Sequence, residues 1–215
     1  NLLRDNIKKI SDTKVITYNN CEIDPDPLLF EKIWNKYASD KDFFSLHRSK
    51  DFWKWRYIDS PGFKYFYFKN KYNDLIVGRI ESGITLNNSQ KNSLRLFRFI
   101  EIIPAEKKQT IQSLISDVMG WAVNNDCCGA DFQASNSSFD KFLTSVGFIK
   151  QDGDYGFGES SLAGLFHPFK YKPDPINAFW RVTLNGKIIE FDKGKSHIMK
   201  SDNDMDRPNF WPVAI

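Results

Sequence analysis

Near its carboxyl end the chain reads Lys200-Ser201-Asp202-Asn203-Asp204-Met205-Asp206-Arg207-Pro208-Asn209. Asp202, Asp204 and Asp206 alternate, so an extended backbone sends all three carboxylates to one side, where they repel unless a cation or hydrogen-bond donors receive them. Arg207 is the nearest cation. Pro208 fixes its own φ and biases Arg207 towards extended geometry, which makes a shaped loop. Asp204, Asp206 and Arg207 are therefore candidates for binding a polar substrate, and the plainer alternative is a solvated Asp-rich turn. Calcium is a poor fit: the stretch 202–213 lacks the glycine of an EF-hand, and Val213 stands where its closing glutamate would be. No metal is expected.

A second candidate group is Phe52-Trp53-Lys54-Trp55-Arg56-Tyr57. Trp53, Trp55 and Tyr57 have rings that stack on a base or sugar, but alternate residues on a helix diverge, so at least one belongs to the core. Arg56 has the fork geometry for a diphosphate, with a surface ion pair as the simpler use. His167, ahead of Pro168 in the aromatic stretch 155–171, offers a base of near-neutral pKa or a packed loop side chain. His47 and His197 read as structural or exposed.

The elements that must position these residues alternate between strand and helix. Lys14 to Tyr18 reads as a first strand. Pro27 to Tyr37 reads as a helix after Asp24-Pro25-Asp26, and Ser49 to Tyr57 as a second, ending before Ser60-Pro61-Gly62. Lys64 to Phe68, Leu75 to Ile84 and Leu94 to Ile102 are rich in β-branched and aromatic residues; with turns at Asn70 to Asp74 and Leu86 to Ser93 they form an antiparallel meander. From Glu106 to Asn125, Ile111, Leu114, Ile115, Val118, Met119 and Ala122 have the spacing of a helix with one buried stripe. Ala130 to Ala134 is a short strand. Ser137 to Val146 is a helix capped by serine and stopped by Gly147, and Phe148 opens another strand. Further on, Trp180 to Leu184, Lys187 to Phe191 and Ser196 to Lys200 read as strands joined by Asn185-Gly186 and Lys193-Gly194. The expected class is mixed α/β, with residues 1–215 as one domain and 173–215 as its terminal strands and polar loop.

Composition narrows the function classes. With 215 residues one sizeable core can form, and 41% hydrophobic and 27% charged residues suit a soluble globular protein. Aromatics at 15%, including 19 Phe, exceed what a minimal core needs, which points to a lined cleft. The net charge of +3 is small and the basic residues are dispersed, so nucleic acid is not an expected partner. No apolar run nears the roughly 20 residues needed to cross a bilayer, and the polar amino end has no signal-peptide core. Membrane insertion is not expected. Three cysteines, two adjacent at Cys127-Cys128, make neither a disulfide framework nor a spaced zinc site, which suits a reducing, cytoplasmic compartment. The first residue is not Met, as in a piece of a longer chain.

The order strand, two helices, three antiparallel strands, long helix, strand, helix, strand resembles the GCN5-related N-acetyltransferase (GNAT) superfamily, over residues 14 to 200. Phe52-Trp53-Lys54-Trp55-Arg56-Tyr57 followed by Ser60-Pro61-Gly62, then Val77-Gly78, looks like the entry of bacterial members encoded with surface-polysaccharide genes. The closing Asp204-Met205-Asp206-Arg207-Pro208-Asn209 is similar to a Gly-Asp-Gln-Asp-Arg-Pro-Asn phrase at the end of those proteins. The resemblance implies acyl transfer from acetyl-CoA or another acyl-CoA to a nucleotide-linked amino sugar, in cytoplasmic O-antigen or capsule precursor synthesis. It also allows a homodimer or a tandem pair of such domains.

The family holds the coenzyme's phosphates on a Gln/Arg-x-x-Gly-x-Gly/Ala run before the long helix, where bare N–H groups and the helix dipole attract anions. Here that place reads Ile103-Pro104-Ala105-Glu106-Lys107-Lys108-Gln109-Thr110. It has no glycine, Pro104 lacks an N–H, and Glu106 adds a negative charge that Lys107 and Lys108 offset as point charges. The implied coenzyme positions are Ile103, Ala105, Lys107, Lys108 and, near the next strand, Asn136. Two readings follow: an enzyme that holds phosphate differently, or a non-catalytic, substrate-binding module of the same fold. The family often draws its base from a carboxylate on the fourth strand, which places Glu101 in that role; as Ile100 and Ile102 flank it, simple alternation points Glu101 away from both. Tyr155 is the implied acid, although the family's usual place, in the helix after the fifth strand, holds Phe139 and Phe142. Asp131, early on that strand, is placed to take a sugar hydroxyl, beside Trp55 and Arg56 for the acceptor.

Overall fold

The computed structural model describes residues 18–39, 45–87, 90–105, 108–132, 138–148, 182–184 and 187–189. Their elements are β1 (Glu22–Ile23), α1 (Pro27–Ser39), α2 (Lys50–Trp53) running on into a π-helical turn (Lys54–Ile58), β2 (Tyr65–Lys69), β3 (Leu75–Asn87), β4 (Gln90–Ile103), α3 (Lys108–Asn124), β5 (Gly129–Phe132), α4 (Ser138–Ser145), β6 (Val182–Leu184) and β7 (Lys187–Ile189). β1 to β5 form one sheet in sequence order. Its pairs are antiparallel except β4–β5, which is parallel and needs α3 as its crossover. The fold is α/β, with a mostly antiparallel sheet and helices on both faces.

Period-two alternation divides the aromatic residues between those faces. Phe68, Ile76, Phe97, Phe99 and Ile102 pack under α3 and α4, against Ile111, Leu114, Ile115, Val118, Phe139 and Phe142. Tyr65, Tyr67, Leu75, Val77, Ile100 and Ile103 pack under α1 and α2, against Phe30, Ile33, Trp34, Tyr37, Trp53 and Tyr57. Among the described residues, most aromatic side chains therefore fill these two cores. Residues 30, 33, 34 and 37 are one helical stripe, and α1 starts where Asp26 Oδ1 accepts the Leu28 and Leu29 N–H groups, both at 3.1 Å, with Pro27 at the first helical position. At the other end of the described sheet, Gly147 stops α4 at φ +95°, and the Phe148 N–H closes on the Leu143 carbonyl at 3.0 Å.

Several expectations shift. The first strand of the sheet is Glu22–Ile23; Tyr18 is not in a strand, and 14–17 lie outside the described residues. The polar run expected as a turn at Leu86 to Ser93 is mostly strand, because Thr85, Leu86 and Asn87 pair with Asn92, Lys91 and Gln90. Backbone pairing outweighs the turn character of those side chains. The expected terminal hairpin is present as Val182–Leu184 paired with Lys187–Ile189 across two residues, whereas the strand at Ser196 to Lys200 lies outside the described residues. Phe148 packs against the α3 side of the sheet and is not itself in a strand.

Gly78 is where the sheet admits no side chain. A Cβ there would lie 2.2 Å from Phe97 Cζ and 2.8 Å from the Arg98 carbonyl oxygen. Gly78→Ala is expected to lower the urea-unfolding free energy by about 2–3 kcal/mol, the cost of overpacking a dense core; an unchanged midpoint would refute this fit. Burial beside the Asp117 carboxylate pushes the Cys21 thiol from 9.0 up to about 12, and burial pushes Cys127 up to about 11. A raised thiol pKa stabilises the folded state fully below the unfolded value and loses that contribution as pH rises, since only the unfolded chain then ionises. Stability should fall from pH 9.0 towards about 12, with a smaller fall in Cys21→Ala, as read by thermal melting across that range.

Candidate functional site

The register of β4 changes beside Glu101. Val77 pairs with Glu101 and Gly78 with Phe99, so Ile100 is an extra residue, a β-bulge. Simple alternation would put Ile100 opposite Glu101. Instead Ile100 joins the α1/α2 core, and Glu101 meets Tyr57 of that same layer, while Ile102 lies on the α3 side. The expectation for Ile102 holds and that for Ile100 is corrected.

Glu101 is 0% exposed. Its Oε1 accepts from Arg48 Nη2 at 3.0 Å and from the Tyr57 hydroxyl at 2.9 Å. Arg48, also fully buried, donates through Nη1 to the Leu46 carbonyl at 2.7 Å and lies 4.8 Å from the Trp34 ring and 5.2 Å from that of Phe52. Each buried ion alone would lose several kcal/mol of hydration, so the two charges are retained by pairing and by these donors. Burial pushes the nearby Tyr37 phenol up, and the Glu101 carboxylate adds to the shift against the opposing Arg48. Glu101 is thus held in a buried charge network among the described residues.

Further along the same sheet face, Arg79 and Arg98 stand directly opposite one another. Like charges in that register repel, and Glu81 joins them: its Oε2 lies 3.1 Å from Arg79 Nη2 and 2.9 Å from Arg98 Nε. Asp131, across from Arg98 on β5, has Oδ2 3.8 Å from Arg98 Nε, and Phe63 stacks 3.7 Å from the Arg79 guanidinium. Both arginines are nearly sealed, whereas Glu81 and Asp131 remain partly open. Arg48, Glu81, Arg79 and Arg98 were not singled out from the sequence. The available signal was charge inside apolar strand runs, as in Phe97-Arg98-Phe99.

The loop before α3 is anchored from within the chain. Asn70 Oδ1 accepts the Tyr72 N–H at 2.9 Å and the Asp74 N–H at 3.1 Å, which shapes the β2–β3 turn. The fully buried Asp74 then accepts the Ala105 N–H on Oδ1 and Asn70 Nδ2 on Oδ2, and Asn70 Nδ2 also reaches the Thr110 carbonyl of α3 at 3.1 Å. A carboxylate of the chain therefore occupies the Ala105 donor. Ile103 is buried in the α1/α2 core, and Lys108 begins α3.

α2 starts at Ser49, whose hydroxyl accepts the Phe52 N–H at 3.2 Å, and its wider final turn closes through Asp59 N–H to the Lys54 carbonyl at 2.8 Å. Trp53 and Tyr57, four apart, are buried with ring centroids 5.2 Å apart. Trp55 is 69% exposed, and Arg56 is half-buried. The expected divergence of the aromatic trio is thus present, with two rings in the core and one outside. Of the other candidates, Tyr155, His167, Lys107, Asn136, Asp204, Asp206 and Arg207 lie outside the described residues. Among the described residues no three His, Cys, Asp or Glu are grouped to hold a metal ion, and no helix is long and apolar enough to cross a membrane.

These features define an α/β protein with a charge network buried between its sheet and the α1/α2 layer. Compared with known proteins, the chain matches no protein-family model and no curated protein.

Replacing one member of the buried pair strands the other. Arg48→Met and Glu101→Leu should each lose about 3–5 kcal/mol of unfolding free energy, whereas the double variant carrying both should lose clearly less than the sum. Urea titrations of the singles and the double decide this; strictly additive losses would mean that the pair is not coupled.

Proposed function

We propose that this chain is an acetyltransferase-like domain that serves N-acylation of a nucleotide-linked amino sugar by binding the acceptor, and that it does not itself carry out the transfer. The observation that carries this reading is the contrast on the α2 layer: Glu101, in the position of the base, is sealed, while Trp55 is 69% exposed. A base for an ammonium group must reach the proton it removes. Glu101 is instead buried, with Oε1 accepting from both Arg48 and Tyr57. The donor loop supports the same reading, since Asp74 already holds the Ala105 N–H and presents like charge to an approaching phosphate.

The acceptor side has suitable chemistry. The Trp55 indole offers a flat apolar surface for a base or sugar ring. Lys54 and Arg56 flank it in the chain and can meet a diphosphate, with Asp51, Asp59 and Glu31, whose Oε1 accepts the Lys50 N–H at 3.1 Å, as local counter-charges.

A second reading, an active acyl-CoA-dependent N-acyltransferase, is favoured by one specific feature, the bulge at Ile100 where β4 leaves its parallel pairing with β5 in the described sheet. Bulges concentrate beside active sites because they re-aim side chains and interrupt pairing. Calorimetric titration separates the two readings. Binding of a uridine-diphosphate amino sugar, weakened at least about tenfold in Trp55→Ala, with no heat from acetyl-CoA, is the expected result. Acetyl-CoA binding together with acyl transfer to the sugar amine would establish the enzyme; binding of neither ligand would end both readings.

A further inference from the structure

We propose that Glu101 is the positioning residue of the α2 platform: through Tyr57 and Arg48 it fixes the π-helical turn that displays Trp55 to an aromatic or sugar ring of the ligand. The inference rests on the acceptor-binding reading above and adds to it a residue far from the ligand surface that sets the platform's geometry. Trp55 is 69% exposed and, among the described residues, meets the Phe52 ring edge-on at 6.3 Å. Its orientation is set by its neighbours in the turn. Tyr57, two residues on, is the point at which that turn reaches the polar centre of the core, 2.9 Å from Glu101. The same carboxylate oxygen holds Arg48 at 3.0 Å.

Arg48 in turn holds the entry to α2. Its guanidinium takes the Leu46 carbonyl at 2.7 Å and lies 5.2 Å from the Phe52 ring, and the neighbouring Ser49 caps the helix. One oxygen atom on β4 therefore controls both ends of α2: the segment entering it, through Arg48, and the turn leaving it, through Tyr57. The bulge at Ile100 is what aims Glu101 at this layer together with Ile100. A π-helical turn is rare and occurs mostly as a single turn within a helix, frequently at functional sites. The Tyr57–Glu101 bond anchors this one, and a rigid, pre-set ring loses less freedom on binding than a mobile one.

The test reads Trp55 directly, with and without ligand. Its fluorescence component is isolated by subtracting Trp55→Phe, in the otherwise native chain and again in Glu101→Gln and Tyr57→Phe backgrounds. Tyr57→Phe removes one hydroxyl and keeps the ring, so it serves if Glu101→Gln does not fold. The expected result is faster local anisotropy decay of Trp55 in both variants. Affinity for the uridine-diphosphate amino sugar should also fall about threefold to tenfold, the scale of one hydrogen bond's net contribution. Unchanged Trp55 anisotropy in Tyr57→Phe and in any folded Glu101→Gln protein overturns the inference, whatever the ligand does. Faster decay in a chain that binds no sugar nucleotide supports the positioning role and refutes the acceptor-binding reading instead.

Discussion

The buried ion pair between Arg48 and Glu101 constrains everything packed on the α1/α2 side of the sheet. Two charges in a fully dehydrated layer are tolerated only with close geometry and further hydrogen bonds, and Leu46 and Tyr57 supply them. Because each partner sits on a different segment, satisfying the charges also fixes the segments. The entry to α2, the π-helical turn and the bulged end of β4 must come together at one oxygen atom. An apolar substitute could fill the same volume with comparable stability, but it would not specify this arrangement so narrowly.

The bulge at Ile100 shows how a one-residue irregularity changes chemistry. Without it, Ile100 and Glu101 would face opposite sides, and one of the two would meet the wrong core. With it, Ile100 adds an apolar contact to the α1/α2 layer while Glu101 keeps its place there. Gly78, opposite Phe99 at the same irregularity, leaves room for the Phe97 ring that closes the other face. The two faces are thus adjusted together: the charged network lies on one side, and the close Phe97 packing on the other.

A second internal carboxylate has a related role at the same end of β3, where Asp74 precedes Leu75 and Glu101 pairs with Val77. Asp74 links the β2–β3 turn to the residues leading into α3 by taking the Ala105 N–H. A helix entrance that could attract an anion is steadied by the chain's own anion. Beyond Glu101 on the same sheet face, Arg79, Arg98, Glu81 and Asp131 balance one another. Charge on this face is balanced internally, and on the other side of α2 the Trp55 indole is exposed among polar neighbours.

Sequence alone determined the elements whose signal is local. The stripe from Ile111 to Ala122, the antiparallel meander and the Gly147 stop are legible because helix spacing, strand alternation and a positive-φ glycine each act within a few residues. Sequence also implied that Trp53, Trp55 and Tyr57 could not all face one way. It gave the wrong side for Ile100, since a bulge depends on pairing with a distant strand, and it made Glu101 a candidate base without revealing Arg48, which is 53 residues away in the chain. It treated Leu86 to Ser93 as a turn because polar side chains signal loops, whereas cross-strand backbone bonds decide. Which ring was exposed, which carboxylate was sealed and which N–H was already taken were set only by tertiary structure, because burial and pairing between distant segments have no local signature in the chain.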